Sequence, residues 1–200
     1  MIAAGVDDDE AARRGPGATS VPVMDSTELW DLIETARDET DDPTDADSVA
    51  ESLVRTLADR DPEVIEAFDV ALAGLVAESY LTELWAAAYL INGGASDDGF
   101  DYFRGWLIAQ GRDVFEAAVA DPDSLAEVPA VRAAIAEGEE LECEAMLGVA
   151  WDAYAAATEE DLPDAGKPSL PELGPMWDFD DEDAMREHLP RLAALAYDVD

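Results

Sequence analysis

From Leu29 to Leu195 the apolar residues return at steps of three and four, and nowhere do they alternate. Steps of two would line one face of a strand. Steps of three and four place side chains on one stripe of a helix, so the chain is committed to helices that bury their stripes against one another. No segment recurs at a fixed length, which sets a solenoid aside. The expected fold is all-α: an irregular multi-helix bundle forming a single compact domain.

The helices are legible one by one. Asp25-Ser-Thr-Glu28 has the spacing of a capping box and opens a helix from about Ser26 to Glu39. Thr44 or Asp45 can cap a second helix carrying Val49, Leu53, Val54 and Leu57. Pro62 suits the first position of a third, where its missing N–H costs nothing, and Ile65, Phe68, Leu72, Leu75 and Val76 give that helix its stripe. A fourth stripe, Leu81, Leu84, Trp85 and Ala88, runs to Ile91 and stops at Asn92-Gly93-Gly94, which admits positive φ. Ser96 then caps a helix with Phe100, Phe103, Trp106 and Leu107, expected to cross the centre of the core and to end at Gly111. A short helix over 112–120 stops at Asp121-Pro122, and Ser124 to Val128 adds one turn. The span Ala130 to Ala157 is helical but broken at Gly138. Four prolines between Leu162 and Met176 exclude a regular element there, and Leu170, Leu173 and Trp177 are expected to pack that loop. Asp180 caps a last helix bearing Met185, Leu189, Leu192 and Leu195, which Pro190 kinks or divides. Residues 1–23, rich in Gly, Pro, Ala and acids without an apolar period, read as a disordered tail ahead of a helical domain over 24–200.

Charge narrows the function. Forty-nine Asp and Glu against 11 Lys and Arg leave a net charge of -38. A polyanion gains no counterion release from DNA or RNA and is repelled by anionic lipid, so neither nucleic acid nor membrane is an expected partner. The chain lacks the roughly 18 uninterrupted apolar residues of a membrane helix, and acids stand where a signal peptide needs its apolar run, so a cytoplasmic location is expected. The single cysteine, Cys143, agrees with a reducing compartment. A salt-adapted host or a GC-rich genome would each produce such acidity.

The densest polar constellation is NGGASDDGFDYFRGWLIAQGR, from Asn92 to Arg112. On a helix starting at Asp97, the residues Asp97, Asp101 and Arg104 share one face at spacings of four and three, opposite Phe100, Phe103 and Leu107. Asp97, Asp98 and Asp101 could present carboxylates to a hard cation, with Arg104 orienting a phosphate or carboxylate. Local structure explains the same residues more simply. Acids favour the positive end of the helix dipole, Asp101 pairs with Arg104, and Asn92 and Ser96 serve the turn and the cap. Glu139, Glu140, Glu142 and Glu144 read as a solvated face, and the lone His188 has no nucleophile to partner it. No glycine-rich phosphate loop is present, no metal ligands are assigned and no cofactor is expected.

The stretch LWAAAYLINGGASDDGFDYFRGWLIAQGRDVFEAAVADPDSLAEV resembles the signature of a mainly bacterial domain of unknown function, the family numbered 4240, often found in actinobacteria. MDSTELWDLIETAR, ECEAMLGVAWDAY and the closing MWDFDDEDAMREHLPRLAAL are similar to it as well. The resemblance singles out Trp85, Asn92, Gly93, Gly94, Ser96, Asp97, Asp98, Phe100, Phe103, Arg104, Trp106, Leu107, Gly111 and Arg112, without assigning a role to any. Some relatives look like larger proteins that carry a tryptophan-glycine-arginine domain, which implies an adaptor role. The reading reached from sequence is a non-catalytic interaction or regulatory module that meets a protein partner near Asp97, Asp101, Arg104 and Arg112. The alternatives are a small-molecule or metal-dependent enzyme using the Asp97, Asp98, Asp101 and Arg104 stripe, and an acidic antitoxin-like protein that neutralises a basic partner. The oligomeric state is left open.

Overall fold

The computed structural model describes residues 23–164 and 166–198. Among them are ten α-helices, one 3-10 turn and no strand. The helices are α1 Ser26–Asp38, α2 Ala46–Ala58, α3 Pro62–Glu78, α4 Thr82–Asn92, α5 Asp97–Ala109, α6 Arg112–Ala120, α7 Pro129–Glu137, α8 Glu144–Thr158, α9 Glu182–His188 and α10 Pro190–Tyr197, and the 3-10 turn is Pro122–Glu127. The tail expected over residues 1–23 lies, apart from Val23, outside the described residues.

Local chemistry sets the boundaries. Asp25 accepts from the backbone N–H groups of Thr27 and Glu28, and the Glu28 carboxylate accepts from Asp25 N, so the capping box is formed. Ser96 caps α5 by accepting from Gly99 N at 3.1 Å. Two expectations shift. Asp45 stands at the cap of α2, but its carboxylate binds the Ser48 hydroxyl instead of a backbone N–H. The cap of α9 is Asp181, one residue later than Asp180, accepting from Asp183 N and Ala184 N. Pro190 divides the last helix as expected, with Leu189 between the two halves.

The bundle gathers round α5. Every residue from Phe103 to Gly111 is buried, so the second half of this helix is hidden on all sides, while its first turn keeps Asp97 and Asp98 in solvent. α2, α3 and α5 pack on α8, and α1 packs on α2. On the other side α4, α7, α10 and the 3-10 turn close a second cluster. Asp123 joins that cluster to α10: its carboxylate accepts from Arg191 N, Arg191 Nε and Leu192 N, all within 3.1 Å, and so supplies the open N-terminus of the last helix.

The proline-rich span after α8 is irregular and works as a strap across the bundle. Lys167 pairs with Asp69 of α3 at 2.9 Å, and Thr82 of α4 donates its hydroxyl to Gly174 O at 3.1 Å. Trp177 lies flat on His188, with ring centres 3.9 Å apart, and donates its indole N–H to Met185. Leu173 and Trp177 are half-buried, whereas Leu170 remains 46% exposed and packs less than its sequence suggests.

Candidate functional site

The residues singled out by sequence sit along α5 and at its two ends, and most have a partner inside the fold. Asn92 ends α4 and grips the backbone of Leu141, accepting from its N–H at 2.9 Å and donating to its carbonyl at 3.4 Å. Asp97 and Asp98 occupy the exposed first turn of α5. Arg112 donates from Nε to Glu116 at 2.7 Å, and its backbone N–H reaches Glu34 of α1 at 2.9 Å.

Arg104 departs from the expected exposed stripe. Its side chain is fully buried, donating to Val76 O and to the Asp101 carboxylate, with the guanidinium over the rings of Phe100 and Tyr80. Helical spacing put Arg104 opposite Phe100. In the fold its long stem bends onto that ring, because a delocalised guanidinium stacks on aromatic faces at little desolvation cost. Arg104 therefore fastens α5 to α3 from inside, and only Asp97, Asp98 and Asp101 of the expected stripe meet solvent.

Two glycines show what else the signature encodes. A Cβ on Gly105 would lie 2.2 Å from the carbonyl oxygen of Cys143, since the segment before α8 runs directly over α5, where Cys143 N donates to Tyr102 O at 2.9 Å. Gly111 has φ of 92°, and a Cβ there would meet Glu34 Oε1 at 2.6 Å and Arg37 Nε at 3.0 Å. Glu34 and Arg37 clasp this junction, Arg37 donating to Ala109 O and Glu34 accepting from Arg112 N. Only glycine fits both the positive φ and that closeness.

The crossing over α5 also builds an open concavity of about 480 Å³ that sequence reasoning missed. It is lined by Asp47 and Glu51 from α2, Tyr102 from α5, and Glu142, Cys143 and Glu144 from the segment entering α8. Glu144, with Asp98 and Glu142 further off, pushes the Tyr102 phenol above its ordinary value, so a candidate residue and two acids read as solvated act on one tyrosine. Partial loss of water raises Glu142 as well, and Glu140 adds to it. Cys143 is buried, donates to Asp47 Oδ1 at 3.2 Å and is pushed up to about 12 by burial, so at neutral pH it is an inert thiol. Asp47 and Glu51 are one turn apart on α2, a spacing that puts two acids on one face. Nothing in the sequence says that this face meets Tyr102.

No lysine or arginine among the described residues lines the concavity. The other cations are mostly occupied: Arg37, Arg112, Arg132, Lys167, Arg186 and Arg191 each pair with a carboxylate elsewhere. Also among the described residues, no three His, Cys, Asp or Glu side chains are placed to hold a metal ion together.

Fold and site define an all-helical domain with an anionic, tyrosine-bearing concavity beside its central helix. The chain belongs to the family described as protein of unknown function (DUF4240), whose model matches residues 24–156. The match takes in α1 to α7 and nearly all of α8, and it ends before the strap, α9 and α10. No curated protein and no solved structure matches the chain significantly. No helix among the described residues is long and apolar enough to cross a membrane.

Proposed function

We propose that this chain is a non-catalytic interaction module that receives a basic segment of a protein partner in the concavity around Tyr102. The observation that carries the reading is the composition of that surface: four carboxylates surround an aromatic ring, with no cation of the described chain among them. A lysine or arginine side chain entering there gains charge-assisted hydrogen bonds to Glu142 and Glu144 and a cation–π contact with Tyr102. Charge of one sign lining a concave surface also concentrates field, which steers a basic partner and speeds encounter. Asp97, Asp98 and Asp101 extend the anionic surface along α5. An antitoxin-like role is one form of this proposal, in which the basic partner is a nuclease. The metal-dependent alternative draws less support, because Arg104 lies under aromatic rings instead of facing a ligand.

The test is a titration of the full chain with a short peptide of alternating arginine and alanine at constant high salt. It is repeated on Glu142→Gln/Glu144→Gln and on a control that removes the same charge elsewhere, Glu159→Gln/Glu160→Gln. Weakening by about tenfold or more in the first variant but not the control supports the reading. Equal weakening in both reduces the binding to general charge attraction and sinks it.

A further inference from the structure

Tyr89 of α4 donates its hydroxyl to Asp180 at 2.5 Å, which ties the entry of α9 to α4. Phe179, beside that carboxylate in the chain, tilts against the Tyr89 ring with centres 5.7 Å apart and forms a T-shaped pair with Trp177 at 5.2 Å. Asp180 N donates to Asp178 Oδ1 at 3.0 Å, so a side chain holds the backbone turn at this point. Tyr197, the last residue of α10, completes the group.

These residues line an open concavity of about 330 Å³: the rings of Tyr89, Phe179 and Tyr197 and the carboxylate of Asp180, with Leu90, Gly93 and Ala196 as the remaining walls. Solvent reaches all four, since Asp180 and Tyr197 are exposed and Tyr89 and Phe179 are half-buried. No lysine or arginine among the described residues lines the concavity, so the Asp180 charge is open to a ligand. Arg186 lies over the Tyr197 ring at 5.3 Å, but it pairs with Glu182 and Asp198 and is not among the walls, so it steadies that ring without filling the space. The hydrogen bond to Asp180 raises the Tyr89 phenol above its ordinary value, so at neutral pH the phenol keeps its proton and goes on donating to the carboxylate.

We infer that this concavity binds a small solute carrying a trimethylammonium group, held among the Tyr89, Phe179 and Tyr197 rings with its charge towards Asp180. Aromatic faces attract a cation through the ring quadrupole, and rings grouped round one space are the usual surroundings of a quaternary ammonium. The proportion of rings to acceptors sets the class. Three rings and one carboxylate, which already holds the Tyr89 hydroxyl, suit a cation with no N–H to satisfy. A primary ammonium brings three donors and a guanidinium five, and each donor left unpaired on losing water weakens binding. The Tyr102 concavity has the opposite proportion, four carboxylates to one ring, and shares no residue with this one, so the two readings stand or fall separately. The volume lies near the lower end for ligand sites, roughly 300 Å³, which fits a solute of the size of choline.

Nuclear magnetic resonance titration of the isotope-labelled full chain with choline chloride tests the assignment, at ionic strength held constant with sodium chloride. Ethanolammonium is run alongside, as is the neutral alcohol that has a tert-butyl group in place of trimethylammonium. Saturable shifts of the Leu90, Gly93, Asp180 and Tyr197 amides are expected, with the neutral alcohol and ethanolammonium each at least about tenfold weaker. Tyr197→Leu and Asp180→Asn, both at exposed positions, are each expected to weaken choline about tenfold. Absence of saturable shifts at these amides overturns the assignment, and so does unchanged affinity in either variant. A neutral alcohol equal to choline overturns it by showing apolar contact alone, and ethanolammonium equal to choline by showing that the rings do not select. Shifts of the Tyr102 amide with the same affinity overturn it as general cation condensation. A peptide bearing trimethyllysine that shifts these amides when choline does not removes the free solute as the ligand.

Discussion

Arg104 holds its guanidinium 4.8 Å from the centre of the Phe100 ring, one turn back on the same helix, and Phe100 in turn stacks on Trp85 at 4.9 Å. A fully buried arginine thus completes an aromatic column instead of facing a ligand. Its Nε finds no acceptor among the described residues, and its ion-pair partner Asp101 is 46% exposed, so the charge itself adds little to stability.

Geometry and charge make opposite predictions for two substitutions at this position. Lysine keeps the charge but cannot fork to Val76 O and Asp101 while lying flat on the rings, so Arg104→Lys is expected to cost about 3 kcal/mol. Arg104→Met fills the same volume without a buried charge and leaves Asp101 to water, at a cost of about 1 kcal/mol. Urea unfolding at constant high salt ranks the two. A lysine variant more stable than the methionine one would show that the charge, not the stacking, holds α5 to α3.

Gly105 and Gly148 separate close approach from simple helix propensity. Gly105→Ala drives a Cβ to 2.2 Å from Cys143 O, forcing the α7–α8 segment off α5, and is expected to cost about 3 kcal/mol. Gly148 lies inside α8 with nothing within 4 Å of an added Cβ, so Gly148→Ala is expected to stabilise by about 0.5 to 1 kcal/mol. Thermal unfolding of both reads the contrast. Destabilisation at Gly148 would mean that α8 is not the regular helix described.

The helices were legible because each stripe and each stop is written locally, in Asp25 to Glu28, in Pro62, and in Asn92 to Gly94. The candidate residues were legible as unusual, but the reason for them was not. Asn92 is explained by Leu141, 49 positions away, and Gly111 by Glu34, which accepts from the neighbouring Arg112 N across 78 positions, and no periodicity reports such contacts. Arg104 pairs with Asp101 one turn back, yet its guanidinium folds onto Phe100, because helical spacing fixes where a Cβ points, whereas a long side chain chooses its own end. The Tyr102 concavity stayed hidden for a related reason: its acids come from α2 and from the entry to α8, and separately each pair looks like ordinary surface.

Cys143 provides a check on burial beside that concavity. Its thiol is pushed up to about 12 by burial, so at mildly alkaline pH its thiolate is roughly a thousandfold scarcer than that of an ordinary cysteine. Iodoacetamide is expected to label it slowly in the native chain and rapidly in denaturant, as mass spectrometry would show. Because the folded value lies above the unfolded one, the associated stability is complete below the ordinary thiol value and is lost as pH rises through about 12. Fast native labelling would mean that the segment before α8 lifts off α5 readily.

Glu142 carries a small cost to the fold. Partial loss of water, and Glu140 beside it, raise its carboxyl above the ordinary value. The folded state therefore holds the proton more tightly than the unfolded state does, so ionisation at neutral pH opposes folding, and the penalty fades as pH falls through the folded value towards the ordinary one. The side chain is largely exposed, so solvent screening limits the effect to a few tenths of a kcal/mol. Glu142→Gln is then expected to be slightly more stable than the parent at neutral pH, to lose that advantage in acid, and to bind the basic peptide more weakly. Unfolding curves across pH, paired with peptide titrations, read both properties on one variant. Gain in stability with loss of binding marks an acid held in place for a cationic partner, whereas a gain with binding unchanged leaves Glu142 outside the docking surface.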